Sequence, residues 1–187
     1  MSWSSKVPLS ISLLPPDSAQ KMALNMEDPF SSLDPNALYI LLLDRGDSYL
    51  FHWALYLAKP GSCGMMYHLI NPDTTDPTTW KYEMQLITDA SYFNRVLLAL
   101  KLGVLDPVVH DAVGDRLGEV PIQYSGRFKE NVTCRVWLKE ALYALDDEGY
   151  VELRRSVNEI DTEATHLAMI NKSKKAQTVV TSKGCVG

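Results

Sequence analysis

Three side chains with nucleophilic or basic chemistry stand in an order that matters: His52, His68 and Cys134. Each histidine interrupts a run that is otherwise apolar. Residues 50–57 are aromatic or aliphatic apart from His52, and residues 65–71 are apolar apart from His68 and the closing Asn71. Lys59, Pro60, Gly61, Ser62 and Gly64 separate the two runs and supply a turn. The segment therefore reads as two antiparallel strands joined by a short loop. A turn centred near Pro60 makes paired residue numbers sum to about 120, which sets His52 opposite His68. A slip of one residue sends the two rings to opposite faces. Side by side, two imidazoles can bind a metal or serve a nucleophile as base and orienting partner. The alternative is a pair of satisfied core histidines.

Cys134 follows Asn131-Val132-Thr133 and opens a run with helical periodicity, in which Leu138, Ala141, Leu142 and Leu145 form the apolar side. Asn131 or Thr133 can cap this helix. A thiol in the first turn meets the positive end of the helix dipole, which stabilises a thiolate. The bland reading of Cys134 is a small buried apolar residue.

Steps along the chain place these residues. Residues 1–18 read as a loose lead-in with one candidate strand at 9–14, and residues 18–26 suit a short helix. Residues 37–43 are a strand candidate, and Asp44-Arg45-Gly46-Asp47-Ser48 is a turn into the first histidine strand. Residues 80–88 alternate as a fourth strand, with Tyr82, Met84 and Leu86 on one face. From Ser91 the spacing of Phe93, Val96, Leu97 and Leu100 predicts a helix that stops at Gly103. Asp106-Pro107 opens another short helix, with His110 at the surface or rim. A short strand follows near 150–153 and a helix over 158–170, with His166 on the surface. Residues 172–187 read as a disordered tail. The fold class expected is α+β, an antiparallel meander sheet packed by helices, in one domain spanning residues 1–187.

Composition narrows the function. The chain has 187 residues, with 46% hydrophobic and 22% charged, as in ordinary globular domains. A net charge of −5 argues against a nucleic-acid partner. No apolar run approaches the roughly 20 residues that cross a bilayer, and the N-terminus has no signal-peptide core. A cytoplasmic location is expected. Three cysteines without paired spacing argue against a disulfide framework, and no Cys-x-x-Cys pair suggests structural zinc. A metal site built on His52, His68 and a carboxylate ranks last, because no His-x-x-x-His or His-x-Glu spacing supports it. The pattern does not specify an oligomeric state.

His52-Trp53-Ala54-Leu55-Tyr56-Leu57 and Tyr67-His68-Leu69 resemble the strand motifs of the lecithin retinol acyltransferase family and its phospholipase/acyltransferase relatives. Those proteins carry a His-Trp-Ala-x-Tyr strand, a second histidine in the next strand, and later an Asn-Cys-Glu-His-Phe motif opening a helix. The resemblance implies a circularly permuted papain-like fold with Cys134 as nucleophile, His52 as general base and His68 as its orienting partner. Tyr56 and Trp53 would line the substrate entry. It implies an acyl or other small-molecule substrate attacked through a thioester, with no cofactor and no metal. The chain departs from the motif at Thr133, where the family has Asn, and at Arg135-Val136, which replaces Glu-His. It also has a longer loop between the histidines. Two rival functions remain: an isopeptidase of the deubiquitinating or deSUMOylating kind, and a non-catalytic binding module on the same fold.

Overall fold

The computed structural model describes residues 30, 33–46, 49–61, 63–76 and 78–185. The candidate strand at 9–14 and the candidate helix at 18–26 lie outside them. The described residues form a mixed α+β structure around one six-stranded sheet. Its strands are β1 (Ala37–Asp44), β2 (Phe51–Lys59), β3 (Cys63–Ile70), β4 (Lys81–Ile87), β5 (Val96–Val104) and β6 (Thr178–Thr181). Their order across the sheet is β4-β3-β2-β1-β5-β6, antiparallel throughout except for the parallel pair β5–β6. The first four strands are the expected meander, and β5 returns to the free edge of β1.

Three α-helices pack on one face: α1 (His110–Gly118), α2 (Cys134–Asp147) and α3 (Val157–Lys174). Alternation along the strands sorts the core into two layers. Leu38, Ile40 and Leu42 of β1 and Phe51, Trp53 and Leu55 of β2 meet Trp137, Leu138 and Leu142 of α2 and Ile160 and Ala164 of α3. Tyr39, Leu41, Ala54, Tyr56, Met66 and Ala99 face the other way, under Phe30 and Phe93.

Residues 96–104 correct the expected helix over 91–103. A 3₁₀ segment, Ala90–Arg95, capped by Asp89, ends at Arg95, and the chain then extends as β5. Leu98, Leu100 and Leu102 point to the helices while Val96 and Ala99 point to the opposite layer. A strand covered on both faces is an apolar run without alternation, and such a run carries no period that distinguishes it from a helix. His110, expected at the surface or rim, is buried. The expected disordered tail is also corrected. Residues 172–174 complete α3, residues 178–181 form β6, and Cys185 is buried and bridged to Leu153. Lysines there belong to the polar side of a helix end, where their charge suits the dipole. The short strand expected near 150–153 is reduced to that single bridge.

Candidate active site

The β2–β3 hairpin turns on Gly61, whose φ of +87° favours a residue without a side chain. The ladder pairs Ala54 with His68 and Leu57 with Met65. His68 therefore lies opposite Ala54 and not opposite His52, a shift of two residues from the expected alignment. Because side chains alternate with a period of two, an even shift keeps both rings on the same face. They become diagonal neighbours, within reach of long side chains. The His52 Nε2 and His68 Nδ1 atoms are 2.7 Å apart, and the rings meet edge to face.

A third member joins from β4. Glu83 pairs with His68 across the β3–β4 ladder, and its Oε2 lies 2.9 Å from His68 Nε2. With Glu83 ionised, His68 donates its Nε2–H to the carboxylate and presents a lone pair at Nδ1. His52 then donates its Nε2–H to that lone pair, which leaves its own Nδ1 as the acceptor at the end of the chain. Burial pushes the His52 pKa down to about 4, helped by the positive charge of His68, Arg45 and Arg95. Burial also lowers His68, against the opposing pull of Glu83. Both imidazoles are therefore neutral at pH 7, as this proton arrangement requires.

Cys134 is the first residue of α2. Thr133 caps the helix, its Oγ1 accepting from the Val136 N–H at 3.2 Å. The thiol is buried, and burial pushes its pKa up. The backbone N–H of Trp53, the Arg45 charge and the first amides of α2 pull the other way. Cys134 shares its core layer with Phe51 and Trp53, whereas strand alternation turns His52 to the opposite side of β2. Thiol and imidazole thus flank the His52–Trp53 peptide from its two sides, and no hydrogen bond joins them. The structure brings His52 and His68 together, adds Glu83, and leaves Cys134 on the helix side of the same rung.

Above Cys134 opens a cleft of about 910 Å³. Its apolar wall includes Tyr49, Leu50, Phe51, Trp53, Trp80 and Met169, and its polar wall Arg45, Asn131, Thr133, Thr165 and His166. Trp53 is in the cleft wall. Tyr56 is not: it is buried in the other layer, edge-on to Phe93 with ring centroids 5.4 Å apart. A Cβ on Gly64 would overlap the Tyr56 ring, so that glycine makes room for it.

Arg135, at a position where the resemblance breaks, is structural. Its guanidinium donates to both carboxylate oxygens of Asp161 at 2.7 and 2.6 Å and to Glu130 at 2.7 Å. Glu130 also accepts from the buried Lys139 at 2.8 Å. These pairs tie the start of α2 to α3 at the rim of the cleft. Among the described residues, no group of three or more His, Cys, Asp and Glu side chains is placed to hold a metal ion, and no helix is long and apolar enough to cross a membrane.

Sequence reasoning missed Glu83. The strand at 80–88 was legible, but the loop between Asn71 and Thr79 leaves its register against β3 open, so nothing local assigns a partner to His68.

A family of unknown function, DUF6914, matches residues 36–180, a span that contains the sheet from β1 through β5, all three helices, the relay and Cys134. The chain belongs to that family. Curated proteins and solved structures gave no match to this DUF6914 chain.

Proposed function

We propose that this DUF6914 chain is a thiol-dependent hydrolase or acyltransferase on a circularly permuted papain-like fold, with Cys134 as nucleophile. The observation that carries the reading is the hydrogen-bonded chain Glu83–His68–His52, which ends at the strand position next to the peptide that Cys134 approaches. The carboxylate fixes the tautomer of two neutral histidines and so leaves a lone pair at His52 Nδ1, a weak base with a pKa of about 4, that can accept a proton. In the reaction, His52 Nδ1 takes the proton from Cys134 Sγ as the sulfur attacks an acyl carbonyl. The C–X bond of the substrate then breaks, and the leaving group takes the proton from His52. Water or an acceptor alcohol or amine attacks the thioester, giving its proton to His52, and Cys134 recovers that proton as the C–S bond breaks. His68 and Glu83 are positioning residues. Free N–H groups at the start of α2 are the candidate oxyanion donors. The reaction requires Cys134 Sγ and His52 Nδ1, which flank the His52–Trp53 peptide from opposite faces of β2, to meet around the stretch of β2 beyond Ala54, where its pairing with β3 has ended. The three free cysteines suit a reducing, cytoplasmic setting.

A second reading has its own support. Burial holds Cys134 protonated and no bond links it to His52, which suits a module that binds a small molecule in the aromatic cleft without transforming it. The experiment that separates the two is intact-protein mass spectrometry after exposure to an activated ester, p-nitrophenyl butyrate. A single butyryl adduct on Cys134 is expected, absent in Cys134→Ala and formed about a hundredfold more slowly in His52→Ala. No adduct, or adducts on Cys63 or Cys185 alone, would sink the enzymatic reading and leave the binding module.

A further inference from the structure

The cleft above Cys134 carries an unbalanced charge. Arg45, Glu130, Arg135 and Asp161 all line it. Both acids are engaged. Asp161 accepts two hydrogen bonds from Arg135, and Glu130 accepts from Arg135 and from the buried Lys139. Those two acids and two bases cancel. Asp44, the chain neighbour of Arg45, is held by Lys172 at 2.6 Å. Arg45 is exposed, and among the described residues its guanidinium has no hydrogen bond or ion pair. One positive charge is left over. The rest of the wall is largely apolar and aromatic, with Trp53 and Trp80 inside and Tyr49, Leu50 and Met169 exposed at the mouth. Its volume of about 910 Å³ lies within the about 300–1,000 Å³ of small-molecule sites.

We propose that this cleft takes a small molecule with an apolar body and a single carboxylate, and that the carboxylate seats on Arg45. The planar guanidinium fork matches a carboxylate through two parallel hydrogen bonds. One unpaired cation balances one negative charge, whereas a phosphate monoester carries about −1.5 to −2 at pH 7 and would be left with an excess. The Arg45 charge also reaches Cys134 and His52, pulling the pKa of each down. A carboxylate seated there is therefore within electrostatic reach of the thiol. It anchors the molecule and is not the group attacked; the acyl carbonyl of the proposed reaction is a separate group. The inference names the class of molecule for the cleft of the proposed function, and rests on that reading only in calling the molecule a substrate.

The test is isothermal titration calorimetry on the full-length Cys134→Ala chain, which measures binding with acylation removed. The probes are 4-phenylbutyrate and its neutral isostere 4-phenylbutanamide. The acid should bind at one site about tenfold more tightly than the amide. Arg45→Gln should bring the two within about twofold of each other, and Arg45→Lys should keep part of the preference. Trp80→Ala should weaken acid and amide together, which places the ligand in this cleft. Far-UV circular dichroism checks that each variant is folded. Equal affinity for acid and amide overturns the proposal, as does a preference that survives Arg45→Gln or no binding of either probe at millimolar concentration. Binding unchanged by Trp80→Ala overturns it too. A tighter, Arg45-dependent complex with 4-phenylbutyl phosphate overturns the choice of carboxylate. Acid-selective binding without a butyryl adduct on Cys134 leaves this inference standing and sinks the enzymatic reading; an adduct without acid selectivity does the reverse.

Discussion

The relay residues bear their cost as pH dependence. His52 in the folded chain has a pKa near 4, against about 6.5 when exposed. Between those values the unfolded chain binds a proton that the native chain does not, so stability rises with pH across this window. The contribution is complete above about pH 6.5 and is lost as pH falls toward 4. From pH 7 to pH 5 the loss from His52 alone is about 2 kcal/mol. His68, lowered for the same reason, adds in the same direction. Urea unfolding at the two pH values should therefore show a clear fall for the wild type and a much smaller one for His52→Gln. Equal falls in both proteins would mean that His52 is not held neutral by the fold.

The helices are joined by charge as well as by apolar packing. α2 opens with Cys134 in the cleft floor and Arg135 on its rim, and Arg135 reaches Asp161 on α3 in a two-point contact. The Asp161 side chain is 10% exposed and that of Arg135 36%. Removing the carboxylate leaves a half-buried guanidinium with Glu130 alone, which Lys139 already engages. Asp161→Ala should cost about 2 kcal/mol, below the 3–5 of a fully buried pair. Chemical denaturation measures it. A change within about 0.5 kcal/mol would class the contact with ordinary surface pairs. If the cleft works as proposed, the same variant should also slow acylation of Cys134, because α2 loses its anchor next to the thiol.

At the scale of the molecule, the last described residues close the sheet. β6 lies parallel to β5 on the side away from β1. Asn171, buried at the end of α3, donates from Nδ2 to the Leu97 carbonyl and to the Thr178 hydroxyl, both at 2.8 Å, and so fastens the helix to β5 and to the start of β6. Gln177 adds contacts to the Phe93 and Val96 carbonyls. Deleting residues 176–187 exposes the edge of β5 and the buried amide of Asn171. Such a truncation should lower unfolding free energy by more than about 2 kcal/mol. An unchanged thermal midpoint would show that β6 is an ornament on a sheet that stands without it.

Local pattern alone determined a good part of this protein. The strands at β1 to β4 are legible because apolar runs, turn residues and alternation repeat there within a few residues of one another. Thr133 before Cys134 announces the start of α2, and the two histidines show as isolated polar breaks in apolar strands. Tertiary structure decided what depends on partners distant in the chain. β5 looked helical because its two apolar faces are distinguished only by the layers that cover them. Residues 172–187 looked like a tail because β6 acquires its meaning from β5, some 80 residues earlier. The register that turned a facing pair of histidines into a diagonal one was set by the turn at Gly61. The carboxylate that completes the relay came from a strand whose alignment no local signal specifies. The side of β2 on which each group stands, His52 on one and Cys134 on the other, follows from which residues the helices cover. Side-chain chemistry is written residue by residue, but the pairing of side chains is an outcome of packing.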